Sequence, residues 1–443
     1  MERTLIGELK NHIGESVRIR GRVDTIRDQG KIIFLIIRDR TGQVQAIAWS
    51  GNGEELFKEV KSLTLESIVD LTGNLKEAKQ VEAGYELEIT EMSVDSVSQT
   101  PLPIVIEEEH HDNLTALDLR LDYRWIDLRS KKNNLMMKVA TVMTNSMRQY
   151  CLDNSFCEIQ APRIIGAASE GGANVFEVKY FDKKAYLAQS PQFHKQMAMA
   201  ADLERVFNVG PVFRAEKSFT TRHITEYTSF DVEMAYIDSY KDVCKFEEGL
   251  IKSMLEAVKK EYGEEIEKVF GINIKIPESF EYLSVKEAKE KLAKENIPSK
   301  EEGDFSPEEE RAISEIVERE TGNEFLFMID YPHKDRAFYH MKNAENPTLA
   351  LGFDLFWKGI EITTGAQREH RMDNLIENAK ERGIDVESLK DYFEYFKYGC
   401  PPHGGFAIGT ERLLMKLLGY NSILETTYLP NTPNRLGKLL NKN

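Results

Sequence analysis

The stretch Val212-Phe213-Arg214-Ala215-Glu216-Lys217-Ser218-Phe219-Thr220-Thr221-Arg222-His223-Ile224-Thr225-Glu226-Tyr227, continuing to Phe230-Asp231-Val232-Glu233-Met234, decides how the rest of the chain is read. An Arg and a Glu close one β-rich run, a polar loop carries Arg222-His223, and a second run opens with Glu226-Tyr227. Joined as a hairpin, these runs bring Arg214, Glu216, Arg222, His223 and Tyr227 onto one face, which offers cations to a polyphosphate and an aromatic plate to a base. A charged hairpin alone is more often a solvated surface, so its meaning depends on what accompanies it.

A second stretch accompanies it: Gly404-Gly405-Phe406-Ala407-Ile408-Gly409-Thr410-Glu411-Arg412-Leu413-Leu414-Met415. Glycines allow a ligand close to the backbone, and Arg412 falls in the first turn of a following helix, pointing at that ligand. Either stretch alone is weak. Together they indicate a nucleotide site on an antiparallel sheet.

Working outward, residues 16–49 hold the short β-rich runs Val17–Val23, Lys31–Ile37 and Val44–Trp49, and Ser67–Leu75 and Tyr85–Met92 follow. Five strands in the first hundred residues fit a small OB-fold barrel. A linker is expected at 101–130, where Thr100-Pro101-Leu102-Pro103 precedes the charged run 107–112. The rest, 131–443, opens with helical spacing from Lys131 to Asn154 and a short strand before Pro162. Later strand-like runs are joined by hairpins, which implies an α+β domain with a largely antiparallel sheet. Strand signals fade and charges concentrate around 270–320, read as a mainly helical insertion.

The chain has 443 residues, enough for two domains, with 41% hydrophobic and 30% charged residues, as in soluble globular proteins. It lacks a run long enough to span a bilayer and opens without an apolar leader, so it reads as cytoplasmic, with no membrane partner. The four cysteines form no CxxC pair and read as buried thiols. A formal charge of −16 argues mildly against nucleic acid, yet residues 1–40 carry nine Lys/Arg against six Asp/Glu. His12-Ile13-Gly14-Glu15 lacks the final His and the Rossmann context of the nucleotide signature it evokes, and is set aside.

Arg-Ala-Glu with a downstream Arg-His, the glycine-rich stretch ending in Glu411-Arg412, and the helix–strand–Pro162 unit resemble motifs 2, 3 and 1 of class II aminoacyl-tRNA synthetases. Ser169-Glu170-Gly171-Gly172, Gln189-Ser190-Pro191-Gln192-Phe193-His194-Lys195-Gln196 and Thr364-Gly365-Ala366-Gln367-Arg368 narrow the resemblance to the archaeal and eukaryotic type of aspartyl-tRNA synthetase, in subclass IIb. The resemblance implies an aspartate–tRNA ligase that uses ATP and Mg²⁺, charges tRNA-Asp, with charging of both tRNA-Asp and tRNA-Asn as the alternative, and forms a homodimer around Pro162. It assigns ATP to Arg214, Glu216, Arg222, His223, Tyr227, Glu361 and Arg412, with Arg214 and Arg412 catalytic. Magnesium falls to Asp354 and Glu361. Aspartate falls to Glu170, Gln192, Lys195, Asp231, Thr364 and Arg368. The anticodon falls to Phe34, Gln45 and Glu86.

Lys195 and Arg368 are read as the cations for the aspartate side chain and Glu170 as the anion for its ammonium, so that asparagine would leave two buried cations uncompensated. The related asparaginyl enzymes generally lack a lysine at the place of Lys195. Two departures from the family pattern stand out. Its usual Gly-Trp-Val is Gly21-Arg22-Val23 here, followed by Asp24, and its usual Phe-Pro-Arg-Asp-Pro near the end is Leu429-Pro430-Asn431-Thr432-Pro433. Competing readings are a tRNA-independent adenylate-forming enzyme, disfavoured by the intact barrel, and a non-catalytic RNA-binding paralogue, disfavoured by the complete ATP and amino-acid sets.

Overall fold

The computed structural model describes residues 1–106, 115–166, 174–216, 220–299 and 303–436. The chain divides into two compact units, Met1–Pro103 and Ile104–Asn443.

In the first unit, β1 (Ser16–Asp28), β2 (Ile32–Arg38), β3 (Gln43–Trp49), β4 (Ile68–Glu77) and β5 (Tyr85–Ser96) close into a barrel in the order β1-β2-β3-β5-β4. Apolar residues at every second position drive the closure. Ile33, Leu35 and Ile37 of β2 and Val44, Ala46 and Ala48 of β3 point inward and are buried with Val17, Ile19, Val69 and Leu71. Helix α1 (Glu54–Lys61) inserts Val60 into that core. Gly21 is required where β1 crosses β2, because a Cβ there would come within 2.7 Å of the Arg38 carbonyl.

Arg22 and Asp24 belong to an ion-pair chain on this barrel. Arg38 Nε donates to Asp24 Oδ1 at 2.7 Å, its Nη2 pairs with Glu66, and Arg22 Nη1 donates to the Glu66 carbonyl at 2.7 Å.

The second unit carries helices α2 (Leu117–Asp122), α3 (Arg124–Asp127), α4 (Lys131–Asp153), α5 (Gln192–Ala200) and α6 (Tyr240–Phe270), followed by α7 (Val285–Lys294) and α8 (Pro307–Thr321). Four more follow, α9 (Met372–Glu381), α10 (Lys390–Lys397), α11 (Thr410–Leu417) and α12 (Ile423–Thr426). Its strands are β6 (Cys157–Glu158), β7 (Ile164–Ile165), β8 (Glu177–Tyr180), β9 (Lys183–Leu187), β10 (Arg205–Phe213) and β11 (Glu226–Ala235). Beyond them lie β12 (Glu281–Ser284), β13 (Phe325–Ile329), β14 (Gly352–Trp357), β15 (Ile360–Arg368) and β16 (His403–Gly409). Eight strands form one sheet, β12-β13-β14-β15-β16-β11-β10-β6, antiparallel except for the edge pairs β12–β13 and β10–β6; β7-β9-β8 form a small second sheet.

One sheet face is apolar. Phe230, Val232, Phe353, Leu355, Phe406 and Ile408 pack against Met136, Val139 and Met143 of α4 and Leu250, Ile251 and Met254 of α6. The opposite face, two-residue alternates of the same strands, carries Tyr227, Ser229, Asp231 and Glu233 on β11 and Gly405, Ala407 and Gly409 on β16. The segment expected to be a helical insertion contributes α7 and α8, each begun by a Ser–Glu capping box, but also β12, so it completes the sheet edge and packs on Leu326, Met328 and Phe356. Cys151 and Cys244 are buried as expected; Cys157 is exposed and Cys400 half-buried.

Candidate active site

Strand register sets the floor of the site. Asp231, Ala407, Thr364 and Asp354 stand side by side on β11, β16, β15 and β14, and Glu233, Gly405, Ala366 and Gly352 form the adjacent row. Three interstrand steps separate Asp231 from Asp354, about 14 Å. Small residues between the carboxylates leave the floor low, and at Gly405 a Cβ would collide with the Val232 carbonyl and the Glu233 carboxylate.

At one end the fully buried Lys195 of α5 places Nζ 3.1 Å from Asp231 Oδ1 and 3.3 Å from Glu233 Oε2, and donates to the Val232 and Phe406 carbonyls at 3.4 Å. Arg368 Nε donates to Glu233 Oε1 at 3.0 Å, and its Nη2 donates to Gln192 Oε1 at 3.2 Å and to the Gly405 carbonyl at 2.9 Å. Gln192 Nε2 donates in turn to Glu233 Oε2 at 3.3 Å. Burial by itself would raise the Glu233 pKa, but Arg368 and Lys195 hold it below the usual carboxylate range. Burial, reinforced by Arg368 and Arg336, keeps His340 neutral, so its Nε2 accepts from Arg368 Nη1 at 3.3 Å.

This geometry corrects one expectation. The two cations are not left uncompensated without substrate, because Asp231 and Glu233 balance Lys195 and Arg368 within the protein. Glu233 is the residue that sequence reasoning missed. Its signal was available, since Asp231 and Glu233 are two apart on one strand and must share a face.

The other end is lined by arginines. Arg214 follows β10, its guanidinium carbon 5.7 Å from the Tyr227 ring centroid and its Nη1 3.7 Å from Glu216 Oε1. Tyr227 and Arg412 flank Gly409, whose absent Cβ would lie 3.9 Å from the Tyr227 ring and 3.8 Å from Arg412 Cβ, giving a slot with no side chain at its base. Arg222 Nη1 donates to Glu310 Oε2 of α8 at 2.7 Å, and Arg412 Nη1 to the Glu361 carbonyl at 2.7 Å. Burial, with Arg412, Arg214 and Arg222 opposing Glu216, lowers the His223 pKa. His223 therefore enters as a neutral hydrogen-bonding group held by Thr220 Oγ1 at 2.6 Å, rather than as a standing cation.

Asp354 gives both oxygens to Arg336, at 3.1 and 2.5 Å, and that guanidinium lies 3.5 Å over the Tyr331 ring. Glu361 accepts from Thr364 Oγ1 at 3.0 Å. Burial, then the charges of Asp354 and Glu310, push Glu361 up to about 7. Such a carboxyl fits a divalent cation, whose charge would restore its ionised form. Asp354, expected beside it as a ligand, pairs with Arg336 and lies close enough for its charge to act on Glu361. Among the described residues no group of three or more His, Cys, Asp or Glu side chains is gathered as a ready cation cage. Neither Arg336 nor Glu310 belongs to a motif that sequence spacing could flag.

Glu170 lies outside the described residues. Asn431, one of the departures near the C-terminus, donates from Nδ2 to Glu226 Oε2 at 2.9 Å, and its carbonyl accepts from Thr225 N at 3.0 Å, fastening the tail to the start of β11. Pro162 is exposed between β6 and β7. On the barrel, Phe34 is half-buried on the outward face, and Gln45 Nε2 donates to Glu86 Oε2 at 2.8 Å. Among the described residues no helix is long and apolar enough to cross a membrane.

Residues 116–433 match the family model described as tRNA synthetases class II (D, K and N), and residues 17–95 match that of the OB-fold nucleic acid binding domain. The chain is 38% identical over 436 residues to the aspartate–tRNA(Asp/Asn) ligase of Aeropyrum pernix, covering 98% of both chains. It is 38% identical over 439 residues to the aspartate–tRNA(Asp) ligase of Thermoplasma acidophilum, covering 98% of this chain and 100% of that one. The structure of asparaginyl-tRNA synthetase from Pyrococcus horikoshii complexed with asparaginyl-adenylate superposes with a TM-score of 0.92 at 32% identity, covering 99% of this chain and 100% of the other. Matched along nearly its whole length in both sequence and fold, the chain belongs to the class II aminoacyl-tRNA synthetases of the D, K and N group.

Proposed function

We propose that this protein is a cytoplasmic aspartate–tRNA ligase, which joins L-aspartate to ATP as aspartyl-adenylate and passes the aspartyl group to the 3′ end of tRNA-Asp. The observation that carries the reading is the buried Lys195–Asp231–Glu233–Arg368 cluster at one end of a floor whose other end is lined by Arg214, Arg222 and Arg412.

In this reading the aspartate side-chain carboxylate takes donors that Lys195 and Arg368 otherwise give to their internal partners. Gln192, Asp231 and Thr364 orient the substrate, and Glu170 receives its ammonium. Asparagine offers Lys195 and Arg368 a neutral amide in place of a carboxylate, and the charge-assisted hydrogen bonds to its side chain are weaker. The substrate α-carboxylate attacks the α-phosphorus in line and pyrophosphate leaves, so no protein nucleophile is needed. Arg214 stabilises charge on the α-phosphate, Arg222 and His223 hold the outer phosphates, and adenine enters the slot between Tyr227 and Arg412. Glu216 faces the adenine or the acceptor end. Mg²⁺, with Asp354 and Glu361 as its protein ligands, would supply charge neutralisation to the phosphate oxygens.

The barrel reads the anticodon through Phe34, Gln45 and Glu86, and two copies associate around Pro162. A second reading, charging of both tRNA-Asp and tRNA-Asn, draws support from Arg22 and Asp24, which are tied into ion pairs with Glu66 and Arg38 instead of presenting the usual aromatic. ATP–pyrophosphate exchange with aspartate and asparagine offered separately tests the proposal. Exchange is expected with aspartate; an equal or greater rate with asparagine would overturn it.

A further inference from the structure

The outward face of the barrel holds an aromatic that none of the assigned anticodon residues includes. Trp49, at the end of β3, is 49% exposed and stands directly across from Ile32, while Phe34 stands across from Ile47. Side chains two apart on a strand share a face, so Trp49 lies diagonal to Phe34 on the neighbouring strand, at about 7–8 Å. That offset places a second plate one nucleotide step from the first. An isolated exposed tryptophan needs no explanation, but this one is held in place. Its six-membered ring covers Gly51, where a Cβ would come within 2.6 Å of two ring carbons. The same face is apolar where a barrel exterior is ordinarily polar, with Ile32, Phe34, Ile36 and Ile47 all half-buried.

The charge at its border fits a phosphate backbone. Arg27 pairs across β1–β2 with Phe34, on the same face, and is exposed. Lys31 is exposed at the same end of β2. Neither has an ion-pair partner among the described residues.

We propose that Trp49 is a second stacking platform for single-stranded RNA, taking the loop nucleotide adjacent to the one on Phe34, with Arg27 and Lys31 at the border of the patch meeting the flanking phosphates. The proposal rests on the reading that this barrel binds the anticodon loop. It extends the bound strand toward the end of the barrel where β1 turns into β2, and an unpaired base of any identity can occupy the plate, because every base has a π-face.

The test titrates the full-length protein with a tRNA-Asp anticodon stem-loop at one stated salt concentration, since phosphate contacts make affinity salt-dependent. Binding should quench tryptophan fluorescence in the parent but not in Trp49→Phe. Trp49→Ala should bind on the order of 10-fold more weakly and Trp49→Tyr nearly as tightly as the parent. Replacing one loop nucleotide by an abasic unit should remove the quench. Parent-level affinity in a folded Trp49→Ala, or an unquenched Trp49, overturns the proposal and leaves the patch to another partner. Phe34→Ala separates the two layers: weakened binding there with an intact Trp49→Ala sinks only this inference, whereas unchanged binding in both removes the anticodon reading itself.

Discussion

Replacing Lys195 by Met tests the buried cluster in two ways at once. The substitution keeps length and deletes the charge. Within the cluster, Asp231 and Glu233, buried at 1% and 0% exposure, then face Arg368 alone, a net charge of −1 for these residues where the parent has zero. Removing one partner of a buried pair costs about 3–5 kcal/mol, so denaturant unfolding of the second unit should shift to clearly lower concentration. Substrate recognition should fall as well. A hydrogen bond to a charged group is worth roughly 1.5–3 kcal/mol, which converts to a loss of roughly 10- to 150-fold in kcat/KM for aspartate in pyrophosphate exchange, while KM for ATP stays within about threefold. The two effects separate in Lys195→Met/Asp231→Asn, where Arg368 and Glu233 balance again: stability should return and aspartate use should not. Recovery of both would make Lys195 purely structural, and parent-level aspartate use in the single variant would refute its place in the pocket.

Arg214→Ala should lower aspartate-dependent exchange by about 100-fold or more with an unchanged fold, by analogy with other donors to a developing oxyanion; near-normal exchange removes Arg214 from the site. Glu247, beneath β15 on α6, is pushed up to about 8 by burial from an ordinary 4.5. The folded state therefore holds an extra proton between those values, and this contribution to stability is lost as pH rises from about 4.5 through 8. Glu247→Gln should gain stability relative to the parent across that window, and a difference that stays flat from pH 5 to 9 would contradict the assignment. For tRNA choice, a preference of about 1,000-fold in kcat/KM for tRNA-Asp over tRNA-Asn is expected, roughly 4 kcal/mol; a ratio within about tenfold would instead establish dual charging and assign the Arg22–Glu66–Arg38–Asp24 chain a permissive role.

The barrel was legible because one buried and one solvated face impose a two-residue alternation on every strand, seen along Ile32–Arg38, where buried Ile33, Leu35 and Ile37 alternate with half-buried neighbours. The helix read at Lys131–Asn154 became Lys131–Asp153 for a similar reason, its apolar stripe being long enough to show the helical period. The strands β6, β7 and β12 have two to four residues, too few for any period to register, and Glu281-Tyr282-Leu283-Ser284 sits in a charged neighbourhood. In the site, residues inside motifs could be named from the sequence, whereas their compensating partners could not. Arg336 reaches Asp354 from a loop 18 residues away, and Glu310 reaches Arg222 across 88 residues, contacts that only tertiary packing creates. The same blindness produced the mistaken picture of uncompensated cations.

Charging of tRNA tests the proposed activity most directly. Purified protein supplied with ATP, Mg²⁺, labelled aspartate and a tRNA-Asp transcript should accumulate acid-precipitable aspartyl-tRNA, esterified at the 3′ end, and the product should vanish in Arg368→Ala. Labelled asparagine charged in place of aspartate, or no aspartyl-tRNA from a folded protein that binds the transcript, would contradict it.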